Sequence, residues 1–180
     1  MAKSKYLAYT FLYDDAADLR CDFEILTDEI SSMTGLLRSL VEDAHLRDEL
    51  EKINELIYHI NPSLRTQVKV TQTELDWLFE RAQKLRDETK NIFDTFDQKH
   101  RVHFTLPQGC TAAAVSHILR SKCKALVRLL SRYEQQGNHV AAILHDFTNL
   151  FSGYFYYLAL KLNKDSGCKE VEYTSRAYNV

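Results

Sequence analysis

The residues able to do chemistry gather in the stretch Phe104-Thr-Leu-Pro107-Gln-Gly109 and in the helical pattern behind it, which carries His117, Arg120, Cys123, Lys124 and Arg128. The chain has only two prolines and five glycines, yet Pro107 and Gly109 stand almost side by side. Pro107 fixes its own backbone angle and Gly109 permits a tight entry into the next element, so the stretch reads as a stiff turn before a helix. Three histidines, His100, His103 and His117, suggest metal binding, but no carboxylate or cysteine accompanies them at ligand spacing, so no metal ligand is assigned. A Ser/His/Asp triad cannot be argued from spacing, because the fold brings such residues together.

The frame for these residues follows from composition. A chain of 180 residues with 45% apolar and 27% charged residues suits one domain made of long uninterrupted elements. The formal charge of −2 gives no general attraction to nucleic acid or an anionic membrane, so neither is an expected partner. The N-terminus lacks the apolar run and small-residue cleavage site of a secretory signal, and no run approaches the roughly 18 apolar residues of a spanning helix. Cys21, Cys110, Cys123 and Cys168 show no paired short spacing, which fits reduced thiols in a cytoplasmic protein.

Apolar residues recur at helical steps from Phe23 to Ala44, and again from Leu50 to Ile60, where Asn61-Pro62 halts the pattern. Thr71 and Glu74 form a capping box for a third helix, expected to reach Phe96. After a loop over about 97–110, a fourth runs from about Thr111 to Gln136 and stops at Gly137, leaving Asn138 to cap a fifth from about His139 to Asn163. The apolar band of the fifth is too wide for one contact face, which implies burial within a bundle or against another subunit. The pattern predicts an all-α protein: an arm over 1–22, a five-helix bundle over 23–163, and a tail over 164–180 that is irregular or a short strand.

Three motifs in this frame resemble those of the ATP:cob(I)alamin adenosyltransferases of the propanediol-utilisation (human) type. Phe104-Thr-Leu-Pro-Gln-Gly, then Ala113-Ala114, His117, Arg120 and Cys123, is similar to F-x-L-P-x-G...A-A-x-x-H-x-x-R-[ST]-x-C. Thr27-Asp28-Glu29-Ile-Ser-Ser32-Met-Thr-Gly35-Leu36 resembles x-D-E-L-N-S-x-I-G-L, and Phe147-Thr-Asn149-Leu-Phe-Ser152-Gly-Tyr154 resembles Y-L-N-R-L-S-D-Y. The resemblance implies a ferritin-like, up-down five-helix bundle assembled as a homotrimer with active sites between subunits. It implies transfer of the 5'-deoxyadenosyl group of ATP to the cobalt of cobalamin, releasing tripolyphosphate. Such enzymes bind cob(II)alamin with its lower axial ligand displaced, which eases reduction because axial ligation tunes the metal's potential. By the same resemblance Phe104 fills the space the lower ligand leaves, Asp28 and Arg120 pair across the subunit boundary, and Asn149 lies near the corrin. Thr10, Lys124 and Arg128 are the matches left to contact the triphosphate of MgATP.

The nucleotide side departs from the pattern. The family's loop reads Y-T-x-x-G-D-x-G-x-T-x-L, with glycines that let backbone amides approach phosphate and a lysine beside them. Here Tyr9-Thr-Phe-Leu-Tyr-Asp14-Asp-Ala-Ala-Asp-Leu19 keeps Tyr9, Thr10 and Asp14 but puts Tyr13 and Ala16 at the glycine positions and Phe11 at the lysine. Asp15 and Asp18 add negative charge that repels a nucleotide unless Lys3, Lys5 or a neighbour compensates. After Cys123 the family's R-R-A-E-R becomes Lys124-Ala-Leu-Val-Arg128, and Leu150 and Gly153 replace an arginine and an aspartate of the fifth-helix motif. The pattern is that of a corrinoid-binding relative with reduced or absent transferase activity, whose roles would be storage, sensing, delivery or scaffolding. Each residue also has a plainer reading. Phe104 suits loop-to-core packing, Asp28 and Arg120 an ordinary interface ion pair, and Asn149 a partner for backbone groups; His117 and the tyrosines Tyr154, Tyr156 and Tyr157 read as packing.

Overall fold

The computed structural model describes residues 4–6, 8–96 and 104–176. It contains five long α-helices among these residues: α1 (Leu19–Leu40), α2 (Ala44–Ile60), α3 (Gln72–Thr89), α4 (Thr111–Gln135) and α5 (Ala142–Asp165). Three 3-10 turns add Thr10–Tyr13, Asn61–Leu64 and Lys90–Thr95, and two short strands, β1 (Phe104–Thr105) and β2 (Glu172–Tyr173), pair antiparallel. His100 and His103 lie outside the described residues.

Local signals set most boundaries. Asp18 accepts from the Arg20 amide and starts α1 at Leu19, four residues before the apolar periodicity becomes visible. Asp43 caps α2 by accepting from the Leu46 amide, and Asn61-Pro62 ends that helix in a 3-10 turn. Both bonds of the Thr71/Glu74 capping box are present. The third helix stops at Thr89, short of Phe96, and tightens to 3-10 geometry. There the Thr89 hydroxyl donates to the Leu85 carbonyl, a back-bond that disturbs helix continuation. Gly137, with φ of 86°, terminates α4. Asn138 does not cap α5: its side-chain amide donates to the Tyr133 carbonyl and so closes α4, and α5 starts after Ala141.

α5 packs against both α4 and α3, and α1 packs against α2 and α4. The central position of α5 explains its wide apolar band, because Phe147, Phe151, Tyr154, Phe155 and Leu158 all lie in the core. The Tyr154 hydroxyl is satisfied there by donating to Glu49. Around α5, the core is filled by Phe23, Ile30 and Leu37 of α1, Leu50, Ile53 and Ile57 of α2, and Leu119, Leu126 and Leu130 of α4. No helix among the described residues is long and apolar enough to cross a membrane. What this frame leaves at its surface is the turn before α4, held by the tail that follows α5.

Candidate functional site

The turn before α4 is fixed from three sides. Phe104 pairs with Tyr173 and Thr105 with Glu172, and the Leu106 amide donates to the Val171 carbonyl at 2.9 Å. Gly109 takes φ of 124°, a conformation L side chains rarely adopt, and lies so close to Asn163 that a Cβ there would meet its Oδ1 at 1.9 Å. The result is that Phe104, 42% exposed, stands at the rim of a cleft of about 330 Å³ with Arg120, Lys124, Ser152, Gly153 and Tyr156.

Arg120 lines this cleft together with a second cation, Lys124. Its guanidinium carbon lies 5.6 Å from the Tyr156 ring centroid, and its backbone carbonyl accepts from the Ser152 hydroxyl at 3.3 Å. Its Nε is buried with no hydrogen-bond partner among the described residues. A buried donor left in this state costs desolvation energy until an acceptor arrives. One turn earlier, His117 is buried beside Tyr156 with both ring nitrogens unpartnered among the described residues. Burial, with help from the Arg120 charge, lowers its pKa from 6.5 to about 4, so it is a neutral core residue. Burial pushes the Tyr156 phenol up, and this ring belongs to the cleft as well as to the packing foreseen for it.

Gly153 also lines the adjoining hollow of about 510 Å³, between α3 and α5, that contains Phe79, Asn149 and Leu150. Asn149 is exposed and its side-chain amide donates to the His145 carbonyl at 2.9 Å, which leaves its oxygen facing outward chemistry. Lys124 and Arg128 follow Arg120 at one-turn steps along the exposed side of α4, and both are exposed. Phe104, Arg120, Lys124 and Asn149 therefore share one region of the surface, with Arg128 beyond it.

Asp28 lies elsewhere. It lines a cleft of about 340 Å³ with Tyr9, Leu12, Glu24, Ile25, Tyr58 and Asn61, and it accepts from the Tyr58 hydroxyl at 2.8 Å. Asp28 and Arg120 line separate clefts among the described residues. Thr10 sits in the exposed turn next to this second cleft. The turn is locked by Arg65, whose guanidinium carbon is 3.8 Å from the Phe11 ring centroid and which pairs with Asp14 at 2.8 Å and with Glu24 at 2.7 Å. Glu24 is buried, and its other oxygen accepts from the Tyr9 hydroxyl at 3.0 Å. Among the described residues no group of three or more His, Cys, Asp and Glu residues is placed to hold a metal ion, and all four cysteines are free thiols.

The family model for cobalamin adenosyltransferase matches residues 16–162. The chain belongs to the cobalamin adenosyltransferase family. Among solved structures, similar folds include a phenylalanine-to-histidine variant of a PduO-type ATP:corrinoid adenosyltransferase from Lactobacillus reuteri, complexed with cobalamin and ATP. It is 21% identical, with a TM-score of 0.71 over 88% of this chain and 85% of that one. An arginine-to-lysine variant from the same organism, complexed with ATP, is 23% identical with a TM-score of 0.71 over 87% of this chain and 88% of that one. No curated protein matches the sequence. On this cobalamin adenosyltransferase fold, Tyr58 lines one cleft and Tyr156, read from sequence only as packing, lines the other, while Arg65 and Asn163, not singled out from sequence, hold the turns beside them. Each is tied in by a partner far along the chain, and only the tyrosines carried a signal, as amphipathic rings at helix surfaces.

Proposed function

We propose that this member of the cobalamin adenosyltransferase family is a corrinoid-binding protein in which adenosyl transfer from ATP is reduced or lost. The observation that carries the reading is Arg120, a half-buried cation whose buried Nε has no hydrogen-bond partner among the described residues, lining the cleft rimmed by the clamped Phe104. The acceptor it lacks is supplied when a neighbouring copy of the chain brings its own Asp28 to the boundary, as the family resemblance implies for a homotrimer. In that assembly Phe104 presses on the lower face of the corrin, Asn149 contacts its edge, and the Asp28–Arg120 pair closes the site. The bound corrinoid supplies a redox-active cobalt, and Phe104 makes its reduction easier by excluding the lower ligand.

The nucleotide side supports the loss. The Arg65 charge is already taken up by Asp14 and Glu24, the family's lysine position holds Phe11, and the Arg65 guanidinium lies on that ring. No cation in this network is left for a triphosphate. The second reading, a full ATP:cob(I)alamin adenosyltransferase using MgATP, rests on Lys124 and Arg128, which continue the Arg120 side of α4, and on Thr10.

One experiment separates the two. Purified protein is mixed with cob(II)alamin, a reductant and MgATP, and the cobalt spectrum is followed. The expected result is a perturbed cob(II)alamin spectrum without turnover. Formation of adenosylcobalamin overturns the loss of transfer, and an unperturbed spectrum overturns corrinoid binding.

A further inference from the structure

The turn that carries Phe104 and the tail that follows α5 meet at one buried side chain. Asn163, 1% exposed, sits in the last turns of α5. Its Oδ1 accepts from the Cys110 amide at 3.0 Å. Its Nδ2 donates to the Gln108 carbonyl at 2.8 Å and to Glu170 Oε1 at 2.7 Å. Its backbone carbonyl accepts from the Cys168 amide at 2.8 Å. The carboxamide orientation is fixed chemically, because an amide N–H must face its oxygen and a carbonyl must face its nitrogen. Gly109 is pressed against the same group, with room for no Cβ.

These contacts join two segments that are also linked by the pairing of β1 with β2 and by the Leu106 amide donating to the Val171 carbonyl. A helix-end asparagine needs only water or its own helix for satisfaction, whereas this one spends every side-chain bond on residues outside α5. We infer that Asn163 is a positioning residue: it ties the turn at 108–110 to a strap made of residues 168–173, and the strap in turn holds the strand that presents Phe104. The inference rests on the corrinoid reading for its function and on the geometry above for its mechanics. The tail is thereby part of the site's mounting, and its attachment sets whether Phe104 is fixed at the cleft or free to swing from it.

The test uses the full-length protein and two readouts. Asn163→Asp keeps an oxygen facing the Cys110 amide but removes the donor facing Gln108 and sets two carboxylates together at Glu170. Amide hydrogen exchange at Leu106 and Cys110 is expected to speed up by roughly tenfold or more, with the interiors of α1 and α4 unchanged. The Phe104-dependent perturbation of the cob(II)alamin spectrum is expected to be lost at saturating protein. The Asn163→Asp/Glu170→Gln double variant restores a donor–acceptor pair of reversed polarity and is expected to recover part of both. Glu170→Ala removes only the tail's side of the clamp, so it reads the same link where Asn163→Asp fails to fold. Unchanged exchange at Leu106 and Cys110 overturns the inference whatever the corrinoid does. Faster exchange with an unaltered cobalt spectrum overturns the positioning role and leaves Asn163 a structural residue. Should the wild-type protein leave cob(II)alamin unperturbed, corrinoid binding fails, and the exchange data alone still decide whether Asn163 fastens the strap.

Discussion

His117 makes the stability of the bundle depend on pH in a way that can be separated from every other group. It is 3% exposed, neither ring nitrogen has a partner among the described residues, and its pKa falls from 6.5 to about 4 on folding because burial and the Arg120 charge disfavour its cation. The unfolded chain therefore binds a proton at this residue between those values while the folded chain does not. Stability from this site is intact well above pH 6.5 and is lost as pH falls through that value, levelling off only near pH 4. At about pH 5 the loss relative to about pH 7.5 comes to about 2 kcal/mol, and the full loss in more acid solution to about 3 kcal/mol. In a chain of this length 2 kcal/mol corresponds to roughly 4–8 °C in melting temperature. His117→Leu removes the titration and both unpartnered nitrogens. Thermal unfolding by circular dichroism at the two pH values, for both proteins, gives the comparison: carboxylates contribute equally to each, so the wild type should lose that much more. Equal losses in the two proteins refute the reasoning, and a larger loss in the variant reverses its sign.

Phe104→Ala should abolish any perturbation of the cob(II)alamin spectrum while changing unfolding free energy by less than about 1 kcal/mol, since the ring is 42% exposed; a large stability change assigns it to the core instead. Arg65→Met should destabilise the fold by about 3 kcal/mol in urea denaturation, because it leaves the buried Glu24 carboxylate without its cation. A loss below about 0.5 kcal/mol means that the network is an ordinary surface one. Gly109→Ala and Gly137→Ala both place a side chain at positive φ, but only the first meets an atom, Asn163 Oδ1. The first should cost at least about 2 kcal/mol more than the second, and equal costs show that the turn yields freely.

The parts of this fold that are legible in the sequence are those whose cause is local. The Thr71/Glu74 box and the stop at Asn61-Pro62 each involve residues within one turn of each other, and both stand where the pattern puts them. The broad apolar band of α5 announces a central helix because its composition records contacts on two sides. Asn138 shows the limit: as a residue type it suits either helix end, and its bond to Tyr133 rather than into α5 depends on how the chain turns at Gly137. The candidate site divides in the same way. Phe104 and Arg120 meet at one cleft because a single turn and a single helix carry them. Arg65 reaches Asp14 and Glu24 from another part of the chain, and Asn163 reaches Gln108 from the far end of α5, so no local pattern discloses either.

Two half-buried arginines, Arg65 and Arg120, are in opposite electrostatic states, and this separates the two halves of the site more sharply than any motif does. Arg65 is held by two carboxylates and stacked on Phe11, so its charge is consumed within the chain. An anion arriving at that turn finds Asp15 and Asp18, with Arg20 already bonded to Asp18 at 2.5 Å. Arg120 has the reverse arrangement: a buried donor, an aromatic neighbour and no carboxylate among the described residues within bonding distance. Burying a donor without a partner is unfavourable, so this Nε gains free energy when an acceptor reaches it. On the reading proposed above, the cleft under Phe104 gains its contact from outside the chain, while the turn at Thr10 has made its contacts within it.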